Sequence, residues 1–349
     1  MTCSLRLAIL ASTVFVTACT GVADQSTSQP SEAPVWSYAT WHADLRTESC
    51  PDGTSFTTPD PLDIRAVEAE GGNEDDRNAQ LDGLVLAGAW ALESTNSEFG
   101  GLSGLDQLGP SKLLAVTDDG KFVWIGIDPE SGAPDGSGSI AYMRDRDGKI
   151  FPSKRAADAE DLTVRDGLAF VSFEQEHRIF AYDLAACGKA ARAAMVVKLN
   201  KMVEGRALEN NRGAEALTFS GDTLKIGLET RRENGSPIGT VRVDGGLNDL
   251  ERGEQPALFL LTGMDSTADL TATVYRAYDP IRGSRANVEL VRDGVLIASA
   301  KLRSPLPVDN YESIAIGTAP DGTTRLWLIS DDNFNNDQRT LLLALDLID

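Results

Sequence analysis

Two stretches of this chain build the same hairpin and end it with the same acids. In AEDLTVRDGLAFVSFE (159–174) and AEALTFSGDTLKIGLE (214–229), a glutamate opens an apolar run, a turn follows, and a second apolar run ends on a glutamate. Glu160 to Glu174 spans 14 positions, and so does Glu215 to Glu229. Two looser copies are LSGLDQLGPSKLLAVTDD (102–119) and YESIAIGTAPDGTTRLWLISDD (311–332). Ser103 and Asp118 lie 15 apart, and Glu312 and Asp331 lie 19 apart around a longer turn. The first three openings are separated by 57 (160 − 103) and 55 (215 − 160) residues. The 97 residues from Glu215 to Glu312 leave room for one degenerate copy around 262–300. A period near 50 in a chain of strands predicts a β-propeller, with one four-stranded blade per repeat.

The rest of the sequence fits an all-β chain. Short apolar runs such as Leu168–Phe173, Leu224–Leu228 and Leu326–Ile329 alternate with Asp119-Gly120, Asp166-Gly167, Asp293-Gly294 and similar hairpin dipeptides. Helical periodicity is scarce, and Ala185–Leu199 is its best candidate. Five blades are counted or inferred. Val85–Leu92, joined with the C-terminal strands, is expected to form a sixth and close the ring, so that no sheet edge is left unpaired. Similar hairpins stacked in a sandwich are the competing architecture.

In an antiparallel hairpin, the residue entering the first strand and the residue leaving the second sit at the same end. Each pair therefore lies on one rim of its blade, and radial blades bring the pairs together around the axis. Carboxylates so crowded repel unless protons, cations or basic side chains offset them. Hard oxygen donors of this type suit Ca²⁺. The candidate metal ligands are Asp118, Glu160, Glu174, Glu229, Glu312 and Asp331, with Asn211, Asn310, Asn333 and Asn335 as further oxygen donors. Arg178, Arg212, Arg231, Arg232 and Arg339 recur on the same rim, as ion-pair partners or as ligands for an anionic substrate.

Composition narrows the function. The chain has 32 basic and 53 acidic residues and a formal charge of −21, which disfavours nucleic acid as a partner. Its two histidines, His42 and His177, argue against a His-rich zinc site or a His-based triad. There is no G-x-S-x-G elbow, Walker loop or H-E-x-x-H. Ser103 has no histidine beside it in sequence and reads as a turn serine. The N-terminus has Arg6 before an apolar run, Leu7–Val16, then Val16-Thr17-Ala18-Cys19. This run is too short to span a bilayer and predicts a secretory signal over 1–18, with lipidation of Cys19. Residues 19–34 read as a disordered tether and 35–349 as the folded domain. Cys50 and Cys187 are left over in an oxidising compartment. They suggest one disulfide, with two buried thiols as the alternative.

The stretches FGGLSGL (99–105), AVTDDG (115–120), DAEDL with SFEQEHRIFAY (158–182), NNRGAEALTF (210–219), NYESIAI (310–316) and LWLISDDNFNNDQRTLLLALDL (326–347) resemble the phytase-like family described by esterase-like activity. The resemblance runs over about 80–349. It implies a six-bladed, often calcium-loaded propeller that hydrolyses phosphate or carboxylic esters. By carry-over it implies Asp118, Glu160, Glu174, Glu215, Glu312 and Asp331 as site acids, with Arg178 and Arg212 beside them. Glu215, Arg212 and Arg178 are the candidate catalytic residues. These motifs hold no lysine-rich phosphate clamp, which sets the chain apart from alkaline phytases. The expected protein is a monomeric, lipid-anchored, calcium-dependent ester hydrolase of the bacterial envelope, acting on a small anionic ester. Its alternative is a non-catalytic, calcium-stabilised propeller that binds an envelope ligand or protein.

Overall fold

The computed structural model describes residues 33–209, 212–230, 235–253, 255–256, 258–335 and 337–348. The signal, Cys19 and all but the end of the tether lie outside the described residues. So do Asn211, Arg231 and Arg232.

The strands form five antiparallel blades. Blade 1 contains Leu102–Gln107, Lys112–Thr117, Lys121–Ile127 and Pro134–Tyr142, with Asp60–Asp63 added outside. Blade 2 contains Ala159–Arg165, Leu168–Phe173, Arg178–Asp183 and Ala194–Lys198. Blade 3 contains Ala214–Ser220, Thr223–Leu228, Ser236–Val241 and Leu247–Gly253. Blade 4 contains Leu260–Ser266, Leu270–Asp279, Gly283–Arg292 and Val295–Leu302, with Leu81–Asp82 outside. Blade 5 contains Tyr311–Thr318, Thr324–Ser330 and Leu341–Leu347, then Leu84–Glu93 and Arg65–Glu68. The first strand of each blade touches the first strands of both neighbours, so these strands line a closed hub.

The six-blade expectation is corrected to five. Leu84–Glu93 does pair with the C-terminal strand, in the register Leu342↔Trp90 and Leu347↔Leu84. Both strands belong to the same sheet as the 311–330 hairpin, so they complete the fifth blade. The expected helix over Ala185–Leu199 is also corrected. Only Leu184–Cys187 is helical, and Ala194–Lys198 is the outer strand of blade 2. Pairing with Arg178–Asp183 overrides the local helical preference of an alanine-rich run.

Side chains stitch the hub. Val164 N–H donates to Asp106 Oδ2 (2.6 Å), Leu217 N–H to Asp161 Oδ2 (2.8 Å) and Ile316 N–H to Asp265 Oδ2 (2.7 Å). Thr218 Oγ1 donates to Asp265 Oδ1 (3.1 Å), and Leu105 N–H donates to Ser313 Oγ (3.0 Å). All five blade junctions therefore have a polar cross-link between inner strands. This satisfies backbone groups that no ladder reaches at the centre of the ring.

Two predictions follow from this framework. Burial pushes the Asp265 carboxyl up to about 6, against 3.8 for an ordinary aspartate. Between those values the folded chain holds a proton that the unfolded chain releases. The stability it contributes is complete below about pH 4 and is lost as pH rises through about 6, by on the order of 3 kcal/mol. Asp265→Asn should reduce the fall in stability between about pH 4 and 6 by about that amount in metal-free urea unfolding, leaving the part due to the ring acids. An unchanged slope would remove Asp265 as its source.

Cys50 and Cys187 are disulfide-bonded, with Cα atoms 5.8 Å apart across 137 residues of sequence. The bond ties the end of the helix Tyr38–Ser49 to blade 2. Closing so long a loop in the unfolded chain should contribute about 3–5 kcal/mol, so Cys50→Ser with Cys187→Ser should lower Tm on the order of 10 °C by calorimetry.

Candidate functional site

Every blade carries a bulge at the same place, between its first two strands. The register shifts fall at Leu102/Gly104, Val171/Phe173, Ala214/Ala216, Leu261/Gly263 and Tyr311/Ser313. The residues released from regular pairing include Ser103, Glu160, Glu215, Thr262 and Glu312. A bulge re-aims a side chain that the pleat would otherwise direct across the sheet. The second strands of four blades end just before Asp118, Glu174, Glu229 and Asp331 on the same rim, and in blade 4, whose second strand continues to Asp279, Arg276 pairs with Leu260 at the start of the inner strand. Seven carboxylates and one guanidinium thus come from ten equivalent positions.

Asp158, Glu160 and Glu174 each offer a carboxylate oxygen within 4.8 Å of the others. Asp158 precedes the inner strand, and its carbonyl accepts Glu174 N–H (2.9 Å), which locks the two chain segments together. The Glu174 and Glu215 carboxyls face each other between blades 2 and 3, and Gly213 N–H donates to Glu215 Oε1 (3.1 Å). Burial, then the Glu215 charge, pushes Glu174 up to about 10. Glu160 is held well above the usual carboxylate range, by burial first and then by Glu215, Glu174 and Asp158. Burial also raises Glu215, takes Glu312 to about 8 and takes Asp331 to about 7. Without a further cation, Glu160 and Glu174 in this half of the ring have to hold protons.

The other half has a resident cation. Arg276 Nη1 donates to Asn310 Oδ1 (2.6 Å), its Nε lies 3.0 Å from Glu312 Oε2, and its Nη2 lies 3.6 Å from Glu229 Oε1. Asn310 donates in turn to Glu312 Oε1 (2.6 Å). Burial alone would lower the Arg276 pKa, but Glu312, Glu229 and Glu215 outweigh it and raise it. Lys154 bridges Asp118 and Asp158 between blades 1 and 2.

The donor set fits a hard divalent cation. It is all oxygen, it is flexible in geometry, and the three acids gathered within 4.8 Å come from one hairpin. Asp118 Oδ1 is buried with no hydrogen-bond partner, a further uncompensated acceptor on the rim. Gly101 keeps the space before that atom open. Its φ is +63°, and a Cβ there would stand 2.6 Å from Asp118 Oδ1 and 2.4 Å from the Phe334 ring.

The other sequence candidates have partners of their own. Arg178 is not brought to the ring. Its guanidinium lies over Phe173 and Phe180 (4.6 and 4.8 Å to the ring centres), and its Nη1 donates to Glu176 (2.9 Å). Arg212 pairs with Glu209 (3.6 Å), and Arg339 with Asp309 (3.5 Å). Asn333 and Asn335 both donate to Gln338. Sequence reasoning missed Asp158, Lys154 and Arg276. Arg276 had a signal, since 276 − 262 is 14, the same spacing as Glu160–Glu174 and Glu215–Glu229. His177, excluded from a triad by the sequence, is buried beside Glu174, and a Cβ on Gly213 would meet its Nδ1 at 2.8 Å.

The family model described as phytase-like, esterase-like activity of phytase, matches residues 97–246 and 244–334. The chain belongs to this phytase-like family. No curated protein matches it. Solved structures similar to it include the PQQ-bound aldose sugar dehydrogenase of Streptomyces coelicolor, at 12% identity and TM-score 0.43, over 74% of this chain and 97% of that one. The WD40 β-propeller domain of Doa1 is similar at 10% identity and TM-score 0.37, over 76% and 97% of the two chains. Their chemistry does not transfer at this distance. In the phytase-like chain described here, the family motifs coincide with the hub: GLSGL opens blade 1, NRGAEAL opens blade 3, and NYESI opens blade 5.

Proposed function

We propose that this phytase-like propeller is a calcium-dependent ester hydrolase acting on a small anionic ester at the hub. The observation that carries this reading is the opposition, within one ring, of the Asp158–Glu160–Glu174 cluster to Arg276. Asp158, Glu160 and Glu174 would hold Ca²⁺, which would supply positive charge against the reacting ester oxygen and acidify nearby water. Arg276 binds the anionic oxygens of the ester from the opposite side, releasing Glu312 or Glu229 as it turns. Glu215, whose carboxyl burial pushes up and which faces Glu174, is the acid placed to pass a proton to the departing alkoxide. Arg178 and Arg212, engaged with Glu176 and Glu209, have no part in this scheme.

The same reading makes the protein a monomer exported to the bacterial envelope and held there by lipid on Cys19. It rests on the run Leu7–Val16 before Cys19. Hydrolysis of p-nitrophenyl phosphate and p-nitrophenyl acetate, with calcium and with EDTA, tests the activity. Turnover of at least one ester that EDTA abolishes and calcium restores is the expected result. Negligible turnover of both with calcium present sinks the hydrolase. It leaves the second reading, a calcium-stabilised binding propeller, which the prior neutralisation of Glu229 and Glu312 by Arg276 favours.

A further inference from the structure

A cavity of about 940 Å³ opens at the outer edge of blade 2, where Ala194–Lys198 ends the sheet. Phe151, Phe180, Ala193 and Met195 give it an apolar lining. Six cations border it, Arg146, Arg155, Arg178, Arg192, Lys198 and Lys201, against four acids, Glu48, Asp145, Asp147 and Glu176. The excess of two positive charges (6 − 4) is opposite in sign to the chain's −21. A local reversal of this kind in an acidic protein focuses anions where the rest of the surface repels them.

The cations are not equally engaged. Arg178 is buried among phenylalanines and bonded to Glu176 and to the Ala156 carbonyl. Arg192 Nε donates to the Glu48 carbonyl (2.9 Å), and Arg146 lies 3.9 Å from Glu48. Arg155, Lys198 and Lys201 are exposed and form no ion pair with a described residue. Three uncommitted cations beside an apolar lining describe a ligand with a charged head and an apolar body.

We propose that this cleft binds an amphiphilic anion, an aryl or alkyl phosphate, sulfate or carboxylate. Its body packs on Phe151, Phe180 and Met195, and its head meets Arg155, Lys198 and Lys201. The site shares no residue with the carboxylate ring, although Gln175 and Glu176 follow Glu174 directly into it. It therefore stands whether or not the hub is catalytic.

Phenylphosphonate, which carries no ester to cleave, is the probe, titrated calorimetrically into the metal-free full-length protein. Saturable binding is expected, weakening as salt is raised. Inorganic phosphate alone and phenol alone should each bind at least about tenfold more weakly, since each engages only half of the cleft. Arg155→Glu with Lys198→Glu and Lys201→Glu should weaken phenylphosphonate by at least about tenfold, and exposed substitutions of this kind leave the circular dichroism spectrum unchanged. Glu160→Gln with Glu174→Gln should leave the affinity as it was. No saturable binding below about 10 mM, or equal affinity in the triple variant, overturns the proposal. Loss of binding in the glutamine variant alone would put the anion at the hub instead.

Discussion

Replacing Glu160 and Glu174 together by glutamine should abolish calcium binding and lower kcat/KM by at least about a hundredfold. Glutamine keeps the size and one oxygen of each side chain but removes two of the three charges gathered within 4.8 Å. The same change should make the metal-free protein more stable. Both carboxyls are desolvated and face Glu215, so the wild-type chain bears their cost in the absence of a cation. Calcium should then raise the Tm of the wild type and not that of the variant. At a hundredfold excess over Kd, the lost stabilisation is about 2.7 kcal/mol. Calorimetry with and without calcium measures both effects, and metal analysis of the native protein checks the stoichiometry. An undiminished calcium-induced rise in Tm in the variant would move the metal away from these residues.

A chain cut to residues 97–334, the span of the family match, should fail to fold. Blade 5 draws Leu84–Glu93 from before that span and Leu341–Leu347 from beyond it. Removing them leaves the hairpin 311–330 exposed along Thr324–Ser330, whose Leu326, Trp327, Leu328 and Ile329 are all buried in the intact protein. Leu341, Leu343 and Leu345 also pack with Leu84, Leu326 and Leu328 in the core shared with blade 4. The loss therefore opens both the sheet edge and the ring. Insoluble expression of 97–334, and recovery of a cooperative thermal transition in 33–349, are the expected outcomes. A soluble, cooperatively melting 97–334 would show that the two closing strands are dispensable.

Much of this was legible in the sequence because it is local. A strand, a two-residue turn and a return strand fix the distance between the acids at their ends. Equal spacing in 160–174 and 215–229 was therefore enough to put Glu160 beside Glu174 on one rim. Repetition of that unit gave the propeller. The Arg276 position belonged to the same pattern, but the code was hidden because its blade has Thr262 and an arginine where blades 2, 3 and 5 have two acids.

Side-chain direction was less legible. Arg178 sits four residues after Glu174 and looked like its companion. In the sheet it pairs with Phe173 and Lys198 and turns to the phenylalanines outside the hub. Glu160 and Asp161 are adjacent in sequence and part company at the bulge. Glu160 joins the acid cluster, and Asp161 caps Leu217 N–H of the next blade and accepts from Ser313 Oγ. Spacing along the chain cannot report which way a bulge turns each of two neighbouring acids.

The amino-acid sequence by itself determined the strands, the turns, the period and the rim on which the acids gather, because hydrophobic alternation and hairpin length are set within about 16 residues. Only the tertiary structure decided that the ring holds five blades, that Leu84–Glu93 closes the last of them, and that Arg276 offsets Glu229 and Glu312 and Lys154 offsets Asp118 and Asp158, while Glu160 and Glu174 must hold protons or a further cation. Those outcomes depend on pairings between residues more than 200 positions apart, as in Leu347↔Leu84, and on which charges meet once the ring is shut.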